Sequence, residues 1–364
     1  MAASVIPVSI LTGFLGAGKT TLLNRILKDP LLAGTAVIVN EFGDTPIDHL
    51  LVEQAEDGII ELNSGCLCCT IRGDLVTTLE NLLRRLDSGR LEALNRVIIE
   101  TTGLADPAPV LHVIMAHPYL VQRFRLDGVV VAVDAVAGQS TLDAQEEAVK
   151  QVAVADRIVI TKSDCTDADT VADLAQRLRH LNPAAEQLDG ASGAATPARL
   201  IDTGLYDPAA KSPDVGRWLR EEAYRDKQSG HHHGHDVNRH DARIKSFTLT
   251  TDRPLRRQAL EGFLELLSAT HGDKLLRVKG IVAVAEHPDS PIVVHGIQHM
   301  FHPPAQLATW PDDDHRTRLV FITRDLAEGF VRRMFSAFTD QPATDTPDSV
   351  AMTDNPLAIP GFRS

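Results

Sequence analysis

Val5-Ile6-Pro7-Val8-Ser9-Ile10-Leu11-Thr12-Gly13-Phe14-Leu15-Gly16-Ala17-Gly18-Lys19-Thr20-Thr21 holds a complete Gly-x-x-x-x-Gly-Lys-Thr string between two segments of different periodicity. Residues 5–11 are largely apolar, as in a buried strand, whereas Thr21-Leu22-Leu23-Asn24-Arg25-Ile26-Leu27 repeats its apolar residues at helical spacing. Strand, glycine loop and helix in that order make a phosphate-binding loop, and a bare turn would not need this context. Gly13 and Gly18 let the backbone wrap a phosphate, Lys19 reaches the β and γ oxygens, and the Thr20 hydroxyl is offered to Mg²⁺. Gly16, Ala17 and Thr21 complete the nucleotide-binding set expected here.

Downstream, strands and helices alternate. Thr35–Val39, Arg96–Ile99, Gly128–Val133 and Arg157–Ile160 are short apolar, β-branched runs, and Leu75 to Leu86 places apolar residues at 75, 79, 82, 83 and 86. The pattern predicts an α/β fold, a P-loop NTPase domain on a mostly parallel sheet covered on both faces. Such sheets bind ligands at the carboxyl ends of their strands. Three polar strings fall at those ends. In Glu100-Thr101-Thr102-Gly103, the acid is placed to act on Mg²⁺ or on the attacking water, and Gly103 allows the backbone to approach the γ-phosphate. In Thr161-Lys162-Ser163-Asp164, Asp164 is suited to accept from N1–H and the 2-amino group of guanine. Adenine lacks that donor pair and would leave a carboxylate unpaired, so GTP is expected over ATP. In Asn40-Glu41-Phe42-Gly43-Asp44, a switch segment is expected, with Glu41 and Asp44 (and Asp48 beyond them) near Mg²⁺ or a second metal.

Composition excludes other classes. A net charge of −13 and 4% aromatics argue against nucleic-acid and membrane-surface binding, since both need basic patches and base binding needs stacking platforms. No apolar run is long enough to span a membrane, and the N-terminus carries no basic leader, so no signal peptide is expected. Three of the 4 cysteines, Cys66, Cys68 and Cys69, crowd into one stretch, which fits a reducing cytoplasm better than a disulfide framework. Their thiolates suit a soft or borderline ion such as Zn²⁺, with a fourth position left for exchange, although the C-x-x-C spacing also serves redox chemistry. Cys165 stands apart and is expected to be structural.

Taken together, these strings resemble the CobW-like family of metal-handling P-loop GTPases. The resemblance rests on residues 12–21, Asn40-Glu41-Phe42-Gly43, Cys66-Leu67-Cys68-Cys69, Glu100-Thr101-Thr102-Gly103-Leu104-Ala105-Asp106-Pro107 and Thr161–Asp164, and covers most of residues 5–165. A second part, Asp273-Lys274-Leu275-Leu276-Arg277-Val278-Lys279-Gly280 with His295-Gly296-Ile297-Gln298, resembles the family's small C-terminal domain. It implies a GTP-dependent metallochaperone whose C-x-C-C motif carries zinc (or cobalt) to a client metalloprotein. Two positions depart from the pattern. Val39 stands where some relatives have a metal-binding acid, and Asp44 where they often have Glu.

The expected organisation is a GTPase domain over 1–187 (extending at most to about 225), a polar linker over 188–243, a small α+β domain over 244–328 with a mainly antiparallel sheet, and a helix and disordered tail over 329–364. Within the linker, His231, His232, His233 and His235 form a low-specificity site for Zn²⁺, Co²⁺ or Ni²⁺. A metal buffer or sensor with weak GTPase activity, cobalt insertion for cobalamin or another metalloenzyme, and an ATP-dependent small-molecule kinase are the competing readings. Asp164 and the cysteines weigh against the kinase. A homodimer is the expected assembly if the chain self-associates.

Overall fold

The computed structural model describes residues 5–40, 71–201, 243–302 and 304–339, the side chains of 40 and 71–74 excepted. The first unit is built on six parallel strands: β1 (Ile6–Gly13), β2 (Thr35–Asn40), β3 (Arg96–Thr101), β4 (Phe124–Asp134), β5 (Arg157–Thr161) and β6 (Glu186–Asp189). They lie in the order β2-β3-β1-β4-β5-β6, so β1 runs between β3 and β4 and delivers the glycine loop to the middle of the sheet edge.

Both faces of this sheet are covered, which is why its strands read as continuous apolar runs. Alternate residues go to opposite faces. Ile6, Val8 and Ile10 of β1 join one core cluster and Leu11 the other, while Val97 and Ile99 of β3 part from Ile98 in the same way. One face is covered by α1 (Lys19–Ile26) and α8 (Pro197–Leu200). The other carries α2 (Ile71–Asp87), α3 (Ala108–Ala116), α4 (Leu120–Arg123), α5 (Gly138–Ala144), α6 (Glu146–Val154) and α7 (Ala168–Leu181).

The second unit is an antiparallel sheet in the order β10-β9-β8-β12-β7, with β11 (Ala305–Gln306) paired to β9. Its main strands are β7 (Ile244–Thr251), β8 (Leu275–Val284), β9 (His287–Ile297) and β12 (Thr317–Arg324), and β10 is the short Met300–Phe301. Helices α9 (Arg257–His271) and α10 (Glu328–Phe338) cover one face. Phe263 sits at the centre of that layer, edge-on to Phe321, Phe335 and Phe338. The opposite face turns Ile244, Leu276, Ile297 and Ile322 into the core of the first unit. Helix α6 is therefore sandwiched between the two sheets, with Ala148, Val149, Gln151, Val152, Ala153 and Val154 buried and Glu146, Glu147 and Lys150 half-buried along its outer edge.

Three expectations change. Residues 188–201, read as linker from their composition, carry the end of β6 and α8, with Leu188, Ala195, Leu200 and Ile201 in the first core. Alanines and a proline look linker-like, yet Ala195 and Pro197 are buried. Residues 329–338 belong with the second sheet, since Val331 and Phe335 of α10 are buried in its core. Glu100 lies inside β3 rather than after it. The expected disorder beyond residue 339 and most of the His-bearing linker lie outside the described residues.

Candidate functional site

Glycine geometry shapes the loop after β1. Gly13 has φ 141°, and a Cβ there would stand 2.3 Å from the Ala132 carbonyl oxygen, so only glycine lets β1 end against β4. Gly16 (φ 75°) and Gly18 (φ 82°) take the left-handed conformation, and Gly18 caps the start of α1. Ala17 N donates to Phe14 O at 3.1 Å, closing the loop above the helix's unpaired N–H groups. Such a loop favours anions through backbone N–H groups and the helix dipole. Lys19 curls back over it and donates from Nζ to Phe14 O at 3.2 Å.

The neighbouring strand tips are tied to this loop. Thr20 Oγ1 donates to Glu100 Oε1 at 2.7 Å, and the Glu100 side chain is buried. Thr101 Oγ1 donates to Thr12 Oγ1 at 2.6 Å. Gly103 lies so close to the loop that a Cβ on it would come within 2.4 Å of Leu15 N. From the other side, Thr161 Oγ1 donates to Ala17 O at 2.8 Å and to Val133 O at 3.2 Å. Lys162 takes a left-handed φ of 54° and reaches Asp134 Oδ2 with Nζ at 2.6 Å. Asp164 is exposed at the same edge.

Gly13, Gly16, Ala17, Gly18, Lys19, Thr20, Thr21, Glu100, Gly103, Thr161, Lys162 and Asp164 thus lie along one edge of the first sheet, at the carboxyl ends of β1, β3 and β5. Glu41, Asp44, Cys66, Cys68, Cys69, His231, His232, His233 and His235 fall outside the described residues. Among the described residues, no group of three or more His, Cys, Asp or Glu is placed to hold a metal ion. Cys165, expected to be structural, is exposed instead.

Two acids escaped the sequence reading. Asp134 is the last residue of β4 and positions Lys162, while its Oδ1 accepts from Val136 N at 2.8 Å. Asp189 is the last residue of β6, and its carboxylate accepts from Ser163 Oγ and from Ala191 N. The Ser163 hydrogen bond holds the Asp189 carboxyl below the usual carboxylate range. Both carry the signal that marked Glu100, an acid at a strand tip. Neither sits in a recognisable string.

Residues 7–189 match the family model described as CobW/HypB/UreG, nucleotide-binding domain, and residues 244–339 match that of the cobalamin synthesis protein cobW C-terminal domain. This chain belongs to the CobW family. Among the relatives of this CobW-family chain, zinc chaperone YjiA of Escherichia coli is 33% identical over 331 residues, covering 91% of this chain and 98% of the relative. Zinc chaperone CobW of Pseudomonas aeruginosa is 29% identical over 359 residues, with 90% and 89% covered. Zinc-regulated GTPase metalloprotein activator 1 of Dictyostelium discoideum is 28% identical over 321 residues, covering 78% of this chain and 64% of that protein. The Zn(II)-bound crystal structure of the E. coli YjiA GTPase superposes with a TM-score of 0.65 at 28% identity, covering 92% of this chain and 99% of that one. The match extends over both domains.

Proposed function

We propose that this CobW-family chain is a GTP-hydrolysing metallochaperone that carries zinc to a client metalloprotein. The observation that carries the reading is the union of two elements. A glycine loop with Lys19 and Thr20 and a guanine-type string ending in Asp164 are joined through the bond from Thr161 Oγ1 to Ala17 O, 2.8 Å long. That bond ties the loop to the strand end that carries the guanine-type string, which supports both serving one nucleotide.

The roles follow from chemistry. Lys19, released from the Phe14 carbonyl, compensates phosphate charge, and loop N–H groups cradle the β-phosphate. Thr20 and Glu100 present two hard oxygen ligands side by side, which fits Mg²⁺. The burial of Glu100 and its bond to Thr20 support a metal-holding role over direct orientation of the water. Bound Mg²⁺ would neutralise charge on the transferred phosphoryl group. Asp164, exposed at the edge, accepts from guanine, with Lys162 held in place by Asp134.

The metal is cargo. Cys66, Cys68 and Cys69 supply thiolates, with Glu41 and Asp44 as candidate carboxylates and the His231–His235 tract as a weaker outer site. Relatives named as zinc chaperones support zinc over cobalt. Asn40, where the cysteine-bearing segment leaves β2, pairs in register with Thr101 beside Glu100. Metal segment and phosphate sensor therefore start from adjacent strand ends, which supports their coupling. Among the described residues no helix is long and apolar enough to cross a membrane, and the reducing chemistry of the thiolates fits the cytoplasm.

The test is zinc affinity, measured by chelator competition, in the apo, GDP and GTP-analogue states. The expected difference between GDP and GTP states is about 5- to 150-fold. Equal affinities in all three states would remove any reason for the nucleotide to direct metal transfer.

A further inference from the structure

His295-Gly296-Ile297-Gln298 closes β9, and Gln298 with His299 turns the chain into β10, where Met300 pairs with Ile297. Gln298 has φ 52°, in the left-handed region. Two-residue hairpins favour Asn or Gly at such positions, because longer side chains are strained there. The glutamine side chain does not serve the hairpin. Its Nε2 crosses to the first domain and donates to Asp106 Oδ2 at 3.2 Å. Strain kept where a smaller residue would relieve it points to a task for the side chain.

Asp106 ends the loop that lies on the phosphate-binding loop. Its Oδ1 accepts from Ala108 N at 2.9 Å, fixing the start of α3. Ala105 N donates to Thr102 O at 3.2 Å, closing a turn around Gly103. Beneath this turn Gln151, buried in α6, donates from Nε2 to Gly103 O at 3.2 Å and to Ala105 O at 3.0 Å. Helix α6 is in turn gripped by the second sheet at both ends, by Arg324 on Glu146 and by Arg277 on the Val154 carbonyl. A continuous path of contacts and hydrogen bonds thus runs from Leu15 through Gly103 and Asp106 to the hairpin tip of the other domain.

We propose that Gln298, acting through Asp106, is a positioning residue for the Gly103–Asp106 loop, so that the C-terminal domain sets the rate at which bound GTP turns over. The inference rests on the GTPase reading above. Gln151 holds the loop from below and Gln298 holds its far end. With both in place, Gly103 is presented to the γ-phosphate in one position. With Gln298 gone, the loop keeps its floor and loses its end stop. A client that shifts the β9–β10 hairpin would then change hydrolysis, and the nucleotide state would change client affinity by linkage.

The experiment measures hydrolysis against GTP concentration for the full chain and for Gln298→Ala, Gln298→Gly and Gln298→Lys. GDP affinity and thermal midpoint are recorded for each. Ala and Gly are expected to lower kcat by about 2- to 30-fold, with GDP affinity unchanged because GDP has no γ-phosphate to meet the loop. Glycine suits φ 52°, so Gln298→Gly should melt no lower than the parent, which separates positioning from stability. Lysine keeps a donor for Asp106 and should restore the parental kcat. A parent that hydrolyses GTP while the Ala and Gly variants match it overturns this inference alone. So does a fall in kcat that follows the melting temperature. A parent with no hydrolysis would overturn the GTPase reading itself.

Discussion

Lys19 donates from Nζ to the Phe14 carbonyl of its own loop, a bond that phosphate oxygens can replace. Lys19→Ala should lower phosphate release by about 10²- to 10³-fold, the usual loss for one preorganised charge-stabilising group, while the melting temperature stays near the parent's. An unchanged rate would sink the role given to the glycine loop. Asp164 is exposed and so costs nothing to replace structurally. Asp164→Asn should weaken GTP by about 1–3 kcal/mol and narrow its advantage over other purine triphosphates, as read by competition binding. At this scale the glycine loop and the strings at the ends of β3 and β5 were legible, because each is a contiguous string, and the structure brings them to one sheet edge. Asp134 and Asp189 were not, because each acts on a residue 26 or more positions away and carries no local string.

At the scale of elements, the parallel sheet depends on β1 reaching β4 without obstruction. Gly13→Ala would drive a Cβ to 2.3 Å from the Ala132 carbonyl oxygen at a backbone angle alanine rarely adopts. The expected cost is about 1–3 kcal/mol of strain, seen as a lower denaturation midpoint together with lost nucleotide binding. If the variant keeps both, the close approach at the strand end has been overvalued. The strands and long amphipathic helices were readable from periodicity. Helix α6 was not, because its 9 residues are fewer than the window over which a helical period declares itself.

The whole molecule is joined by a buried charge cluster. Asp156, at the start of β5, accepts from Val129 N and faces Arg277 and, at 2.7 Å, Lys279 of β8, all three side chains being nearly inaccessible. Burial alone would raise the Asp156 carboxyl, but the two cations more than offset it and hold it far below the ordinary range. Burial, aided by Arg277, pushes the Lys279 ammonium down to about 8. One acid thus serves two cations. Asp156→Ala should destabilise by about 3–5 kcal/mol because it strands them both, whereas Lys279→Met should be close to neutral because Arg277 still pairs the acid. Urea midpoints would distinguish the two, and equal losses would contradict this division. Nearby, burial lowers His302 from 6.5 to about 4. The folded state keeps it neutral while the unfolded chain takes a proton below about 6.5, so the unfolded state binds more protons across that window. Its contribution, about 3 kcal/mol, is complete above pH 6.5 and is lost as the pH falls to about 4. His302→Gln should flatten the fall of stability with acid over that range, and an unaltered slope would show that other groups carry it.

What the amino-acid order determined alone was local: a glycine loop between strand and helix, polar strings at strand tips, and two sheets of different kind. These were legible because each is written within a few neighbouring residues, where spacing and conformational preference act directly. Only the tertiary structure decided that residues 188–201 complete the first core, that β9–β10 leans a strained glutamine onto the loop ending at Asp106, and that Asp156 anchors β8 across the domain boundary. Contacts such as Gln298 to Asp106 join residues 192 positions apart. No propensity or period encodes such a pairing; it exists because the apolar faces of α6 and the second sheet must be buried against each other.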